Sequence, residues 1–413
     1  MRKTVLLLAI FFAAIIFSPG CSKSEGGLKS GTWRATLQTQ SKAEIPFNFI
    51  LSDSSGQHLI HIINADERLR VEDITVKDDS IFIKLPLFDS EIRAQIRKNT
   101  LVGRWIKHLP EKTTTMPFRA EAATEWRFFN ASGKPGTRVS GRWSVIFYDE
   151  TQKDTTLAIG EFRQQQRKVT GSFLTSTGDY RFLEGILSGN KLYLSTFDGS
   201  HAYLLTGTLN KDNTISDGLF YAGYSTIRNW TARKDANAML PDAYALTSLK
   251  SGEDRLNFQF PDLQGNQVSL SDKKFTGKVV IVQFLGSWCP NCMDETAYLS
   301  SFYNQYRGKG VEVIGLAYER TNDIEKSKKS VEQLQKRFSV AYPLLITGYT
   351  NKEVLKSMPS LNDFKAFPTT ALIDKKGKVR KIHTGFSGPG TGEHYEQFKQ
   401  EFEQQVKNLL AEN

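Results

Sequence analysis

The run KVVIVQFLG at 278–286 holds one polar side chain between its ends, Gln283. A strand with one wet face alternates apolar and polar residues, whereas a strand covered on both faces does not. This run therefore predicts a central strand in a sheet flanked by helices, and the sequence after it supplies them. MDETAYLSSFYNQYRGKG places Tyr298, Leu299, Phe302 and Tyr306 at helical spacing and stops at Gly308 or Gly310. VEVIGLAYE reads as a strand, IEKSKKSVEQLQKRF as an amphipathic helix and AYPLLIT as a further strand. TTALIDKKGKVRKI is a hairpin turning at Lys376-Gly377, and HYEQFKQEFEQQVKNLLAE a closing helix. Upstream, FQFPDLQGNQVSL reads as a short hairpin at Gln264-Gly265. The expectation for 258–413 is an α/β sandwich around a mixed sheet.

At 413 residues the chain is too long for one ordinary domain, and 32–234 follows a different rule. Short Val-, Ile-, Leu-, Phe-, Tyr- and Thr-rich runs alternate with polar residues and end at turns, which is strand patterning. The pattern also repeats. SGTWRATL at 30–37 aligns with SGRWSVIF at 140–147, IFIKLPLFDS at 81–90 with KLYLSTFDGS at 191–200, and PFRAEAA at 117–123 with WTARKDA at 230–236. The offset is domain-sized, about a hundred residues. Two similar antiparallel β units are expected, 31–123 and 124–235, each a small barrel or sandwich. Trp33, Trp105, Trp143 and Trp230 are read as plugs of these barrels rather than ligand platforms. The Gly-, Thr- and Asp-dense stretch 169–185 reads as a hairpin, with a binding loop as the other reading. His58 and His61 fall on opposite faces of one strand, a poor metal pair. Residues 236–257 lose the alternation and are taken as a linker.

MRKTVLLLAIFFAAIIFSPGC at 1–21 has a cationic start and an apolar stretch shorter than the roughly 20 residues a bilayer core needs. It reads as an export signal. Ser18-Pro19-Gly20-Cys21 resembles a bacterial lipobox, which makes Cys21 an acylated mature N-terminus and 22–30 a polar tether. The protein is then expected in the cell envelope, lipid-anchored and periplasm-facing. The net charge of +10 is scattered, with no run longer than a pair such as Lys273-Lys274, so no nucleic-acid partner is expected.

The chain has three cysteines. With Cys21 acylated, Cys289 and Cys292 are the only free thiols, at the turn from buried strand to helix. Backbone N–H groups and the helix dipole favour an anion there. A free thiol with a pKa of about 8.5 is mostly protonated at neutral pH, while the first cysteine of a Cys-X-X-Cys site is largely ionised. Cys292, one turn on and more buried, can attack a mixed disulfide made by Cys289, and Trp288 would cap the exposed sulfur. A zinc site would need two more ligands, and no second Cys pair or close His pair exists. Haem attachment would need His where Met293 stands. A staple across two residues would stabilise little. The pair reads as a reactive dithiol.

GKVVIVQFLGSWCPNCMDE followed by AFPTTALIDKKGKV resembles the thioredoxin superfamily, and more narrowly the exported TlpA/ResA-like thiol–disulfide oxidoreductases. The resemblance covers 258 to the C-terminus. It implies a thioredoxin-like domain with Cys289 as nucleophile, Cys292 as resolving thiol and Pro368 as a cis-proline beside them. It also implies Glu295 as a relay for the thiol protons and Phe367, Pro368 and Thr369 as the segment that meets an incoming substrate strand. Gln283 departs from the pattern, standing where thioredoxins bury an aspartate. The segment 321–365 is longer than in a minimal thioredoxin and is expected to add a helix and a strand.

The implied function is disulfide exchange on partner proteins, more often as reductant, with electrons from an upstream thiol–disulfide protein. No cofactor beyond the Cys289–Cys292 disulfide and no metal is expected. A thiol peroxidase on the same fold is the first alternative, although such enzymes carry threonine where Gly286 stands. A binding lipoprotein with an auxiliary dithiol is the second.

Overall fold

The computed structural model describes residues 28–54, 56–85, 89–109, 111–130 and 137–412. The export signal, the acylated Cys21 and the tether up to residue 27 lie outside the described residues. Among those described, no helix is long and apolar enough to cross a membrane.

Nine antiparallel strands from Gly31–Gln38 to Thr113–Ala122 form the first sheet. Each strand pairs with its neighbours in sequence except at one seam, between Glu67–Val71 and Ile74–Lys77. The first strand also pairs with the last, placing Leu37 opposite Phe118, so the sheet curls almost into a barrel. Period-two alternation drives the curl, because Trp33, Ala35 and Leu37 on one strand and Phe47, Phe49 and Leu51 on the next all face one buried interior.

A second nine-stranded antiparallel sheet follows, from Gly141–Tyr148 to Thr226–Lys234. Apart from the two-residue strand Gly178–Asp179, its strands close into a ring. Gly141–Tyr148 pairs with both Thr155–Gln165 and Thr226–Lys234, and Thr155–Gln165 pairs on with Lys168–Thr175. Closure leaves no free sheet edge. Trp143, Val145 and Phe147 point inward while Ser144 and Ile146 face out. Trp143, Phe147, Phe173 and Trp230 fill the interior, with Phe173 and Trp230 edge to face at 5.5 Å.

The tryptophans are packing residues. Trp33 donates its indole N–H to the Lys29 carbonyl and Trp143 to the Val139 carbonyl, each at 2.8 Å and each four residues back. The two sheets also share apolar contacts. Phe197 of the second packs on Phe47 of the first at 4.4 Å, and on Trp105 edge to face at 5.3 Å.

The third body is the expected α/β sandwich. Its sheet runs Leu344–Thr350, Val311–Glu319, Val279–Leu285, Thr369–Ile373, Val379–Thr384, with the first two pairings parallel and the last two antiparallel. Helices α1 (Pro290–Tyr306), α2 (Ile324–Phe338), α3 (Val354–Ser357) and α4 (Glu393–Ala411) complete it. All seven residues of Val279–Leu285 are buried. Val279, Ile281 and Leu285 join the core with α1, α2 and α4; Val280, Val282 and Phe284 join the one that includes α3. The segment 321–365 supplies α2, a strand and α3.

The stretch expected to be a linker is instead bound along this domain. Lys250 donates its N–H to the Ser360 carbonyl at 2.8 Å, Asn362 to Ser248 at 2.9 Å and Val379 to Asp254 at 2.8 Å, and Leu256 is buried. Alternation is absent there because its partners are mainly loops, so no single face repeats every second residue.

Candidate active site

Strand Val279–Leu285 ends beside the N-terminus of α1. Gly286, Ser287 and Trp288 cross between them, and Cys289 is the helix N-cap. Pro290 opens the helix, a position that needs no N–H donor. The Cys292 N–H donates to the Cys289 sulfur at 3.2 Å, so a free helix-end donor points at the atom where negative charge would form. The two sulfurs are joined as a disulfide with Cα atoms 5.2 Å apart. Cys292 is wholly buried, and Cys289 is more enclosed than expected at 6% exposure. Trp288 packs against the core that holds both cysteines. Its indole donates to the Tyr318 carbonyl at 3.0 Å, meets Phe367 edge to face at 5.6 Å and carries the Arg320 guanidinium 4.4 Å above its ring. A Cβ at position 286 would lie 2.2 Å from the Trp288 indole nitrogen, so this crossing requires glycine.

Opposite the dithiol, the Phe367–Pro368 peptide is cis, and the Phe367 carbonyl oxygen lies 3.6 Å from the Cys289 sulfur. Pro368 is buried behind it. Thr369 does not face a substrate. It is wholly buried, its hydroxyl donates to the Ala366 carbonyl at 2.8 Å, and its backbone pairs with Phe284 on one side and Thr384 on the other. Both faces of this central strand are covered, as all five residues of Thr369–Ile373 are buried.

Glu295 lies one helical turn past Cys292 and is 1% exposed. It accepts from the Gln283 amide at 2.8 Å and from the Thr370 hydroxyl at 2.8 Å. Burial pushes its carboxyl up to about 7, and the two hydrogen bonds only partly oppose that. A buried acid poised near neutrality behind a dithiol can take or return a thiol proton.

Residues 250–397 match the family model described as Redoxin. Over 138 residues the chain is 33% identical to thiol-disulfide oxidoreductase ResA of Bacillus subtilis, covering 33% of this chain and 69% of that protein. ResA of Geobacillus kaustophilus is 33% identical over 139 residues, covering 34% of this chain and 72% of the relative. The chain belongs to the ResA-like thiol–disulfide oxidoreductases. Among solved structures, the thioredoxin domain of a thiol-disulfide oxidoreductase from Bacteroides vulgatus is 29% identical with a TM-score of 0.27, covering 37% of this chain and 99% of that one.

In this ResA-like enzyme the structure adds side-chain partners that motif reading did not pair. Gln283, which departs from the thioredoxin pattern, is a ligand of Glu295 and is itself held by the Thr296 hydroxyl at 3.2 Å. Glu319 ends its strand beneath the crossing and accepts from the Ser287 N–H and hydroxyl, both at 2.8 Å. A carboxylate closing the apolar run VIGLAY, at the C-terminal end of a parallel strand, is a signal that could have found it. The hairpin within 169–185 forms as expected, pairing Lys168–Thr175 with Gly178–Asp179. Its far side reaches α1, where the Asn291 amide donates to the Asp179 carbonyl at 3.3 Å and Arg181 donates to the Pro290 carbonyl at 3.0 Å.

Proposed function

We propose that this enzyme reduces disulfides in partner proteins of the cell envelope while tethered to a membrane by acyl chains on Cys21. The observation that carries the reading is the 3.2 Å contact from the Cys292 N–H to the Cys289 sulfur, beside the Phe367 carbonyl and above a carboxyl poised near pH 7. In the reduced enzyme the Cys289 thiolate attacks one sulfur of the partner's disulfide. A Cys289–partner disulfide forms, and the other partner sulfur leaves as a thiolate and takes a proton. Cys292 passes its proton to Glu295 and attacks the Cys289 sulfur, closing the Cys289–Cys292 disulfide and expelling the second partner thiolate. The expelled thiolate takes up the proton that Glu295 releases, and the first proton is the one Cys289 lost on ionising, so two electrons and two protons reach the partner. An upstream thiol–disulfide protein restores the dithiol by the reverse sequence, and the cysteine pair itself carries the electrons.

In the same reading Phe367 and Pro368 receive the partner's extended segment and Trp288 borders it. Residues 1–21 are a signal segment cut before Cys21, which becomes the mature N-terminus, 22–30 are a tether, and 31–123 and 124–235 are two similar β units. The peroxidase alternative is disfavoured by the crowding at position 286, where a threonine side chain would collide with Trp288.

The test is a Cys292→Ala variant expressed in the native cell. It should accumulate mixed disulfides through Cys289 in the membrane fraction, and a further Cys21→Ser change should move them to the soluble fraction. Absence of any trapped partner would remove the reductase reading; retention of the Cys21→Ser variant at the membrane would remove the anchor.

A further inference from the structure

Both residues between the cysteines are gripped by the second β sheet. Pro290 is held through its carbonyl by Arg181, and Asn291 through its side-chain amide by the Asp179 carbonyl. The approach is close enough that a Cβ on Gly178 would lie 2.1 Å from the Asn291 amide nitrogen, and Gly178 has φ +142°. The Asp179 carboxylate meanwhile accepts from the Gly388 N–H at 2.5 Å, fixing the hairpin to the loop after Val379–Thr384.

Arg181 is itself only 8% exposed. A guanidinium taken out of water is costly unless its donors are met by fixed acceptors and its charge by carboxylates. Here one face meets Asp294 of α1 at 2.7 Å and the Pro290 carbonyl, another meets Glu67 of the first sheet at 2.5 Å, and Asp198 of the second lies 3.7 Å away. All three bodies of the protein converge on this one side chain, 109 residues before Pro290. A cation placed for stability alone would need no contact with the turn that carries the reactive sulfur.

We propose that Arg181 is a positioning residue for the dithiol: by holding the Pro290 carbonyl and Asp294 it sets the first turn of α1, and with it the Cys292 N–H that meets the Cys289 sulfur. The second β unit thus tunes the reactivity of a sulfur it does not touch. This rests on the reading of Cys289 as the nucleophile. The charged groups around Arg181 are Glu67, Asp179, Asp198 and Asp294, with Arg337 of α2 and His201 further out. Those around Cys289 are Arg320 over Trp288, Glu319 on Ser287 and Glu295 behind, and the substitutions below leave all three in place.

The test is the pH dependence of Cys289 alkylation in the reduced full-length protein, with the dithiol potential measured against glutathione. Arg181→Met should lower the thiolate fraction about ten-fold at neutral pH and make the potential more negative by about 30 mV, the equivalent of ten-fold in the dithiol–disulfide equilibrium. Arg181→Lys should recover part of the shift. Gly178→Ala keeps the cation but forces the hairpin off Asn291, and should shift the thiolate fraction in the same direction even if Arg181→Met folds poorly. A low-pKa Cys289 in the parent that is unchanged in Arg181→Met and Gly178→Ala would overturn this inference alone. A Cys289 that titrates in the parent like free cysteine would overturn the nucleophile assignment beneath it.

Discussion

Gln283 donates its side-chain amide to Glu295 at 2.8 Å, from the central strand to the first turns of α1, and both residues are buried. The Gln283 carbonyl oxygen accepts from Thr296, so its amide is oriented to donate to the carboxyl and not to accept from it. Together with the Thr370 hydroxyl this makes a site that tolerates the ionised carboxylate while burial resists it.

With Glu295 as the proposed proton acceptor, the resolving step is expected to follow its ionisation. Its carboxyl is a base only above about 7, so the rate at which Cys292 clears the mixed disulfide should rise through that pH. Glu295→Gln should lower this rate at pH 8 by about 10²-fold, the lower end of what a positioned general base contributes. Stopped-flow release of a chromogenic thiol from Cys289 measures it. An inflection near pH 7 that survives in Glu295→Gln would assign the proton to another group.

Stability should carry the same signature. The carboxyl of Glu295 sits near 7 in the fold against an ordinary 4.5, so between these values the folded protein binds a proton that the unfolded chain has released. Folding stability is then fully present below about pH 4.5 and falls as pH rises through 7, by up to about 3 kcal/mol for this group. Glu295→Gln cannot titrate and should flatten that part of the slope. Urea midpoints at pH 5 and pH 8 read it directly, and a variant with the parent's slope would place the linkage elsewhere.

Gly286→Thr tests the crossing before the dithiol. The new side chain meets the Trp288 indole, which must leave the Tyr318 carbonyl and tilt away from Phe367. Overpacking of this kind costs about 1–3 kcal/mol, visible as a lower urea midpoint with a changed near-UV spectrum. No peroxidase activity should appear. A variant as stable as its parent would mean that the indole has room to move.

Local rules carried much of this protein. The uninterrupted apolar run at 278–286, the helical spacing after it and the Gly265 and Gly377 turns are short-range patterns, and each formed where those patterns required. The dithiol belongs with them, because its chemistry depends on an N-cap and a donor three residues later. Period-two alternation likewise announced two stretches of antiparallel strands. What it could not announce was closure: the pairing of Gly141–Tyr148 with Thr226–Lys234 joins segments far apart in the chain.

Sequence alone thus determined where the dithiol lies and what kind of sheet surrounds it, since both follow from neighbours within a few residues. Tertiary structure decided what surrounds that pair. Thr370 reaches Glu295 from 75 residues away and Arg181 reaches Asp294 from 113. Thr369 was turned inward and the 236–257 segment was bound down by the same kind of distant partner. Contacts of that range leave no periodicity in a single chain, because each depends on where two independently formed elements come to rest.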